Sequence, residues 1–508
     1  MTSSQRIAIN TVATYSRSIL SAALGLFSTR WVLGALGQTD FGLFSVVGSI
    51  IVFIVFLNSV LANSAARYFA YSIGQGDTEV VNQWFNAALS IHLFLPIVLI
   101  FIGWPIGEYC IKHILTIPTN RILTCLLVFR ISLIAAFFSM VTIPFTAMFT
   151  AKQHISTLAV WSMLQSILSF IFSFYLSNIF GDRLLVYAIG ILIITVCVQL
   201  GQSIQAIAVF RECRIQYKKS LNFEKVKKIF SFAVWSLIGS FGGILRNQGS
   251  SILLNIYFGP KVNAAFGIAN TVSAQALMLS GAMTSAISPE INVSEGRGDR
   301  CRMLDLSLRM CKFSSLMVMI FAIPLIAEMD YVLKLWLDDV PQYASILCQL
   351  MLIMFLIDQL TVGYMSAVLA YGKIAAYQAT VGSTLVLTLP LAWVFIKLGY
   401  EPSYVGYAFI ITIIICSFGR VIWGRYLLEM KVQDWMKMVV LPCFIVGAIS
   451  SFMSFVTMYS ILPSFFRFMI VCLTSTCTTI LASWYFAFNT SERSFLLKNI
   501  EVLFARIR

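Results

Sequence analysis

Polar positions in this chain are islands between apolar runs, and the runs are too long for the strands or surface helices of a water-soluble fold. A helix needs about 20 apolar residues to cross the hydrocarbon core of a bilayer. Read in order, the runs predict about fourteen spans. The first six cover 7–33, 41–71, 83–107, 122–149, 155–178 and 184–210. Six more cover 229–258, 264–291, 303–333, 343–370, 376–397 and 404–428, and two extra helices lie near 436–460 and 464–488. The expected fold class is an all-α polytopic membrane protein. The expected divisions are a six-helix lobe at 1–213, a basic connector at 214–228 and a second six-helix lobe at 229–430. The extra helices fill 431–489 and a tail fills 490–508.

The first span is not uniformly apolar. Arg17 sits near its middle, and Asn10, Thr14, Arg17, Ser21 and Ser28 recur at helical spacing, so they share one face. A cation at that depth costs roughly 2.5–3.5 kcal/mol on insertion scales and is usually turned toward a bundle interior or a wet cavity. Two readings stand. Either the stripe lines the path of an anionic substrate, or Arg17 pairs with a carbonyl or carboxylate and holds the bundle together. The seventh span repeats the arrangement with Arg246, followed by Asn247 and Gln248. Gly239, Gly243 and Ser250 share the stripe of Arg246, and Ser251 and Asn255 extend a polar face beside it. One arginine from the first helix of each half suits a pyrophosphate or sugar phosphate, because guanidinium offers forked donors that match phosphate oxygens. The competing reading places Arg246 at a helix end, snorkelling to the outer interface.

The halves are related in sequence. A shift of 222 residues lays Gly37 on Gly259, Ser72 on Ser294, Gly74 on Gly296, Gly76 on Gly298 and Asp77 on Asp299 without a gap. Lys152 meets Lys373 at nearly the same shift. Six spans per half is an even number, so the halves share one orientation. That predicts an axis along the membrane normal with a substrate site between the halves.

Composition agrees: of 508 residues, 59% are hydrophobic and 11% charged, outside the range of soluble domains. Arg6 precedes a run too long for a signal core and without a small-residue cleavage site, so the first span is expected to stay in the mature protein. The net charge of +14 reads as loop orientation rather than nucleic-acid binding. With cytoplasmic termini, about 24 basic residues fall in inside loops against about eight outside, which the positive-inside rule favours. The eleven cysteines form no C-x-x-C pair and no metal-ligand spacing, so they are expected to be packing residues. No phosphate loop, dinucleotide fingerprint or nucleophile with its base occurs. No outside loop is large enough for a catalytic domain, so an enzyme and a cofactor are not expected.

Other intramembrane charges also matter. Arg130 in the fourth span and Asp358 in the tenth occupy corresponding helices, as a structural ion pair across the lobes or as gating or proton-coupling groups. Arg67 and Arg30 lie near span ends, at the interface or within reach of a cavity mouth. His92 reads as a core residue, and Pro144, Pro289, Pro324 and Pro390 as kinks. Asp338–Asp339 reads as a solvated turn.

Three stretches carry a resemblance: Phe41–Asp77, Ile143–Leu168 and Asn247–Asn270, with Gly259–Ala265 the most specific part. They resemble bacterial polysaccharide repeat-unit flippases of the Wzx type, in the superfamily that includes multidrug (MATE) exporters. The chain departs from those relatives at Phe266, where they often have arginine, and at Gln153, where they often have an acid. The resemblance implies two six-helix lobes in a V shape, with spans 1, 2, 7 and 8 lining a cationic cavity. It implies flipping of undecaprenyl-pyrophosphate-linked oligosaccharide, for O-antigen or capsule, across the bacterial inner membrane by alternating access. Membrane lipid and the polysaccharide's polymerase or assembly proteins would be partners. The candidate substrate-binding residues are Arg17, Arg246, Asn247, Arg67 and Arg30. The resemblance also implies a lipid-tail groove at 436–488. Rival readings are a multidrug exporter, disfavoured because the first span carries a cation and no acid, a lipid II flippase, and a membrane polymerase of lipid-linked sugars.

Overall fold

The structure is a computed structural model. It describes residues 3–74, 78–152, 154–215, 223–372, 375–490 and 492–494, and for stretches such as 3–19, 57–64 and 223–240 the backbone path alone. Within these residues the chain is helical and contains no strand. The main elements are α1 (Ser3–Gly74), α2 (Thr78–Ile114), α3 (Thr119–Ala151), α4 (Ile155–Asn178) and α5 (Arg183–Val209). They continue as α6 (Phe223–Phe258), α7 (Pro260–Gly296), α8 (Arg300–Ala327), α9 (Met329–Trp336), α10 (Ala344–Gln359) and α11 (Val362–Tyr371). The last are α12 (Gln378–Lys397), α13 (Tyr404–Leu428), α14 (Val432–Ser460) and α15 (Phe465–Ala487).

Among the described residues ten helices are long and apolar enough to cross a membrane, or eleven with α10 and α11 taken as one bent span. The second arm of α1, α6 and α7 complete the fourteen predicted ranges, and they carry many of the chain's glycine, serine and asparagine residues.

Gly37 divides α1 into its two predicted spans. Its φ of 74° and ψ of 169° lie where a Cβ would clash, so glycine is the residue that fits. Gly259, with φ 82°, makes the same break between α6 and α7. These are the two glycines that the 222-residue shift superimposes, so the repeat is structural as well as sequential.

The chain forms two compact units. The first holds Met1–Gly267, Trp336–Ala344 and Leu389–Pro402; the second holds Ile268–Leu335, Ser345–Thr388 and Ser403–Arg508. In the first, Phe69, Phe85, Phe145, Phe149 and Phe210 form one apolar cluster, and Leu43, Val46, Phe129, Leu133 and Leu184 a second. Arg121 ties three elements together: it donates to Asp40 on α1 and, at 2.8 Å, to Asp182. Asp182 in turn caps α5 by accepting from the Leu184 amide.

In the second unit the α14–α15 hairpin is held by hydroxyls. Ser450, Ser454, Ser475 and Thr479 are fully buried, and Ser450 Oγ lies 2.7 Å from Thr479 Oγ1. Small hydroxyl residues let membrane helices approach closely and bond across the contact. Two buried ion pairs fasten this hairpin to α8. Arg467 at the start of α15 reaches Glu328, just after α8, at 2.6 Å. Lys312 within α8 reaches Glu492 at 2.7 Å and the Ala487 carbonyl at 3.0 Å.

Candidate functional site

The polar stripe predicted in the seventh span is present on α6. Arg246 and Asn247 are half-buried, twelve and eleven residues before the helix ends at Phe258. Arg246 thus lies about three turns before the end of α6. Ser250, Ser251 and Asn255 are buried. Asn247 Oδ1, Ser250 Oγ and Asn255 Nδ2 are buried and make no hydrogen bond among the described residues. Buried polar atoms are normally satisfied, so Asn247 and Ser250 retain hydrogen-bonding capacity beside a guanidinium.

Arg17 and Arg67 lie on α1, but their side chains fall outside the described residues. Arg30, on the same helix, donates to Asp338 at 2.8 Å. The acidic turn read as solvated thus supplies a partner for Arg30, and that arginine is an ion-pair residue here. Trp336, two residues before Asp338, donates from Nε1 to the Leu26 carbonyl at 2.7 Å. Phe266, at the position where the resembling proteins often carry arginine, is 1% exposed and packed in the core.

The predicted Arg130–Asp358 pair is replaced by two local pairs. Arg130 reaches Glu108 of α2 at 2.6 Å, with its guanidinium 5.4 Å from the Trp104 ring centre. Asp358 accepts from Arg420 of α13 at 2.7 Å. The reason is local: each charge has an opposite charge on a helix of its own unit.

The Asp358 pair sits where α10 and α11 bend by 46°. A broken helix frees backbone groups that lipid cannot satisfy. Here Trp435 Nε1 donates to the Leu360 carbonyl at 2.8 Å, and Arg420 also donates to Thr361 Oγ1 at 3.1 Å. This supports a structural role. Asp358→Asn, which keeps the shape and one acceptor oxygen, is expected to lower thermal stability by about 1–3 kcal/mol with flux per folded molecule unchanged. Melting in detergent and transport normalised to folded protein check this.

His92 is 0% exposed, and its Nδ1 lies 2.8 Å from the Ala88 carbonyl, in keeping with a core residue. The cysteines Cys125, Cys213, Cys311, Cys348, Cys416 and Cys443 are buried. Pro144 opens a short helical segment after Thr142, and Pro324 lies inside α8.

The start of the connector is docked. Asn82 Nδ2 donates to the carbonyls of Glu212 and Arg214, both at 2.8 Å, and Lys152 pairs with Glu212 at 2.6 Å. Burial pushes the Glu212 carboxyl up, but hydrogen bonding to Lys152 and the nearby Arg211 outweigh it and hold the group below its ordinary range. A lowered carboxylate pKa stabilises above the unfolded value and is lost as pH falls through the folded one. Amide-exchange protection at 210–215 is therefore expected to be flat from neutral pH downward and to fall only below about pH 4.

The second unit contains a cavity of about 550 Å³ between α7, α8 and α15. Met283, Ile287, Leu316, Ile480 and Phe488 give it apolar walls, and Arg309, Ser483 and Glu492 supply its polar lining. Sequence reading missed this cavity's charged lining, since Glu492 lies 180 residues from its partner Lys312.

The family model described as "Polysaccharide biosynthesis protein" matches residues 6–293, more than half of the chain. The chain belongs to this family. No curated protein matches it. Among solved structures it is similar to one described as "Lipid II flippase MurJ, inward closed conformation", at 14% identity and a TM-score of 0.69, over 94% of this chain and 98% of that one. It is similar also to an inward-facing multidrug resistance MATE family transporter of the MOP superfamily, at 15% identity and a TM-score of 0.69, over 80% of this chain and 94% of that one. This member of the polysaccharide biosynthesis family is therefore a multi-pass membrane protein with a fold shared by flippases and exporters.

Proposed function

We propose that the chain flips undecaprenyl-pyrophosphate-linked oligosaccharide repeat units from the inner to the outer leaflet of the bacterial cytoplasmic membrane, by alternating access. The observation that carries this reading is the half-buried Arg246 with Asn247 and Ser250 on α6, in a polysaccharide biosynthesis family member. A cationic stripe with unspent hydrogen-bonding capacity suits a pyrophosphate and its sugars. Arg17 joins it from α1 in this reading. The lobes at 1–213 and 229–430 rock against each other, with both termini cytoplasmic as the loop charges favour. The cavity between α7, α8 and α15 takes part of the polyprenyl tail, with Arg309 toward the phosphate end. The polymerase of the same polysaccharide receives the product.

A cationic drug fits this stripe poorly on electrostatic grounds, which disfavours the multidrug reading. The lipid II reading shares the stripe's chemistry, and family membership favours the repeat unit instead. Deleting the gene is expected to remove surface polysaccharide and leave single lipid-linked repeat units in the inner leaflet, with wild type restoring export. Unchanged polysaccharide with heightened drug sensitivity would replace this reading with the exporter. Peptidoglycan failure with normal polysaccharide would replace it with the lipid II flippase.

A further inference from the structure

The outward side of α2 is a stripe. Phe94, Ile97, Phe101, Trp104, Glu108 and Lys112 follow one another at steps of three or four residues, so they lie on one side of the helix. Phe94, Ile97, Phe101 and Trp104 are all exposed. An exposed apolar row of this length on a spanning helix faces lipid. The last two members of the row are charged. On α3, Leu123, Leu127, Arg130 and Ile134 share a side in the same way, and Leu123 and Ile134 are exposed. Both helices belong to the first compact unit.

Where the two rows meet, their polar members converge. Glu108 Oε1 accepts from Arg130 at 2.6 Å and from Trp104 Nε1 at 2.8 Å, and Glu108 Oε2 accepts from Lys112 at 3.3 Å. The Arg130 guanidinium lies 5.4 Å from the Trp104 ring centre. Among the described residues, one carboxylate thus serves both cations, and the cluster keeps an excess of one positive charge. The acid is the inner member. Its side chain is 16% exposed, against 41% for Arg130 and 46% for Lys112. Lys112 stands two residues from the end of α2 at Ile114. With exposed Tyr109 and Trp104 beside it, it marks this level as a membrane–water interface. Arg130 reaches the same level from deeper on α3 through its long stem. In the predicted topology this interface is the outer one.

We propose that this cluster binds the headgroup phosphate of an anionic phospholipid, phosphatidylglycerol in chemistry, in the outer leaflet. The lipid's single negative charge cancels the excess. A zwitterionic headgroup brings its own ammonium and leaves the excess in place. The guanidinium fork suits phosphate oxygens, and the Lys112 ammonium adds a point charge to the same anion. The apolar row from Phe94 to Trp104 runs along the acyl chains below. The site lies on the outer wall of the first unit and holds whatever the transported substrate is.

The test uses the full chain in vesicles with a phosphatidylglycerol that carries a photoactivatable headgroup, and maps the crosslinked peptides. Crosslinks are expected within residues 101–134. Unlabelled phosphatidylglycerol should suppress them at a concentration about fivefold lower than phosphatidylethanolamine, the factor for one interfacial charge. Lys112→Gln leaves the Arg130–Glu108 pair intact and removes the excess charge, so the two lipids should then compete about equally. Glu108→Gln raises the excess to two charges and should widen the preference by a further factor of about five. An ion pair with a structural role alone predicts no such gain. If Glu108→Gln does not fold, Lys112→Gln decides.

Crosslinks that avoid residues 101–134, equal competition by the two lipids on wild type, or a preference undiminished in Lys112→Gln would overturn the site. Suppression by inorganic phosphate as strong as that by phosphatidylglycerol would make it an aqueous anion site and overturn the lipid assignment.

Discussion

Arg246→Ala is expected to cut polysaccharide export by about 10- to 150-fold while leaving the folded protein at normal levels. A hydrogen bond to a charged group contributes about 1.5–3 kcal/mol, and each 1.4 kcal/mol is a factor of ten. Arg246 lies about three turns before the end of α6, half-buried, and its neighbours Asn247 and Ser250 retain hydrogen-bonding capacity. Arg246→Lys should recover part of the loss, because it keeps the charge and loses the fork that matches two phosphate oxygens. The measurement is surface polysaccharide per molecule of folded transporter. Full export by Arg246→Ala would assign Arg246 a packing role.

Lys312→Ala is expected to destabilise the protein by about 3–5 kcal/mol, because it leaves Glu492 buried without its counter-charge. The side chains of the pair are 3% and 4% exposed, so solvent cannot take over. The same lysine also donates to the Ala487 carbonyl, so its loss loosens the end of α15 from α8. Lys312→Met with Glu492→Gln should cost much less than either charge removal alone, since replacing both partners avoids a stranded charge. Thermal melting in detergent, with a double-mutant cycle, reads the difference. A loss in the double variant equal to the sum of the two single losses would mean the pair is not coupled.

Fold and site were legible to different depths, and the residues show why. Apolar length marked the spans, since lipid demands it, and the repeated glycines Gly37 and Gly259 marked equivalent breaks because positive φ selects glycine. The polar stripe of α6 was legible from helical spacing. Charge pairing was not. Arg30 and Asp338 are 308 residues apart, and Lys312 and Glu492 180. Arg130 and Asp358 stood in corresponding helices, which suggested each other, yet Glu108 and Arg420 are their partners. The usable signal was scarcity: with 21 acidic residues against 35 basic, each acid in or near a span invites a search for a cation at its own depth.

The most direct test of the central claim is a leaflet assay with the purified protein in sealed vesicles. Undecaprenyl-pyrophosphate-linked oligosaccharide would be loaded on one leaflet, and its exposure on the other read with a membrane-impermeant glycosidase. Wild type is expected to expose the sugar, and Arg17→Ala and Arg246→Ala to leave it protected. Sugar that stays protected with folded wild-type protein, under an imposed membrane potential and under proton and sodium gradients, would contradict the account.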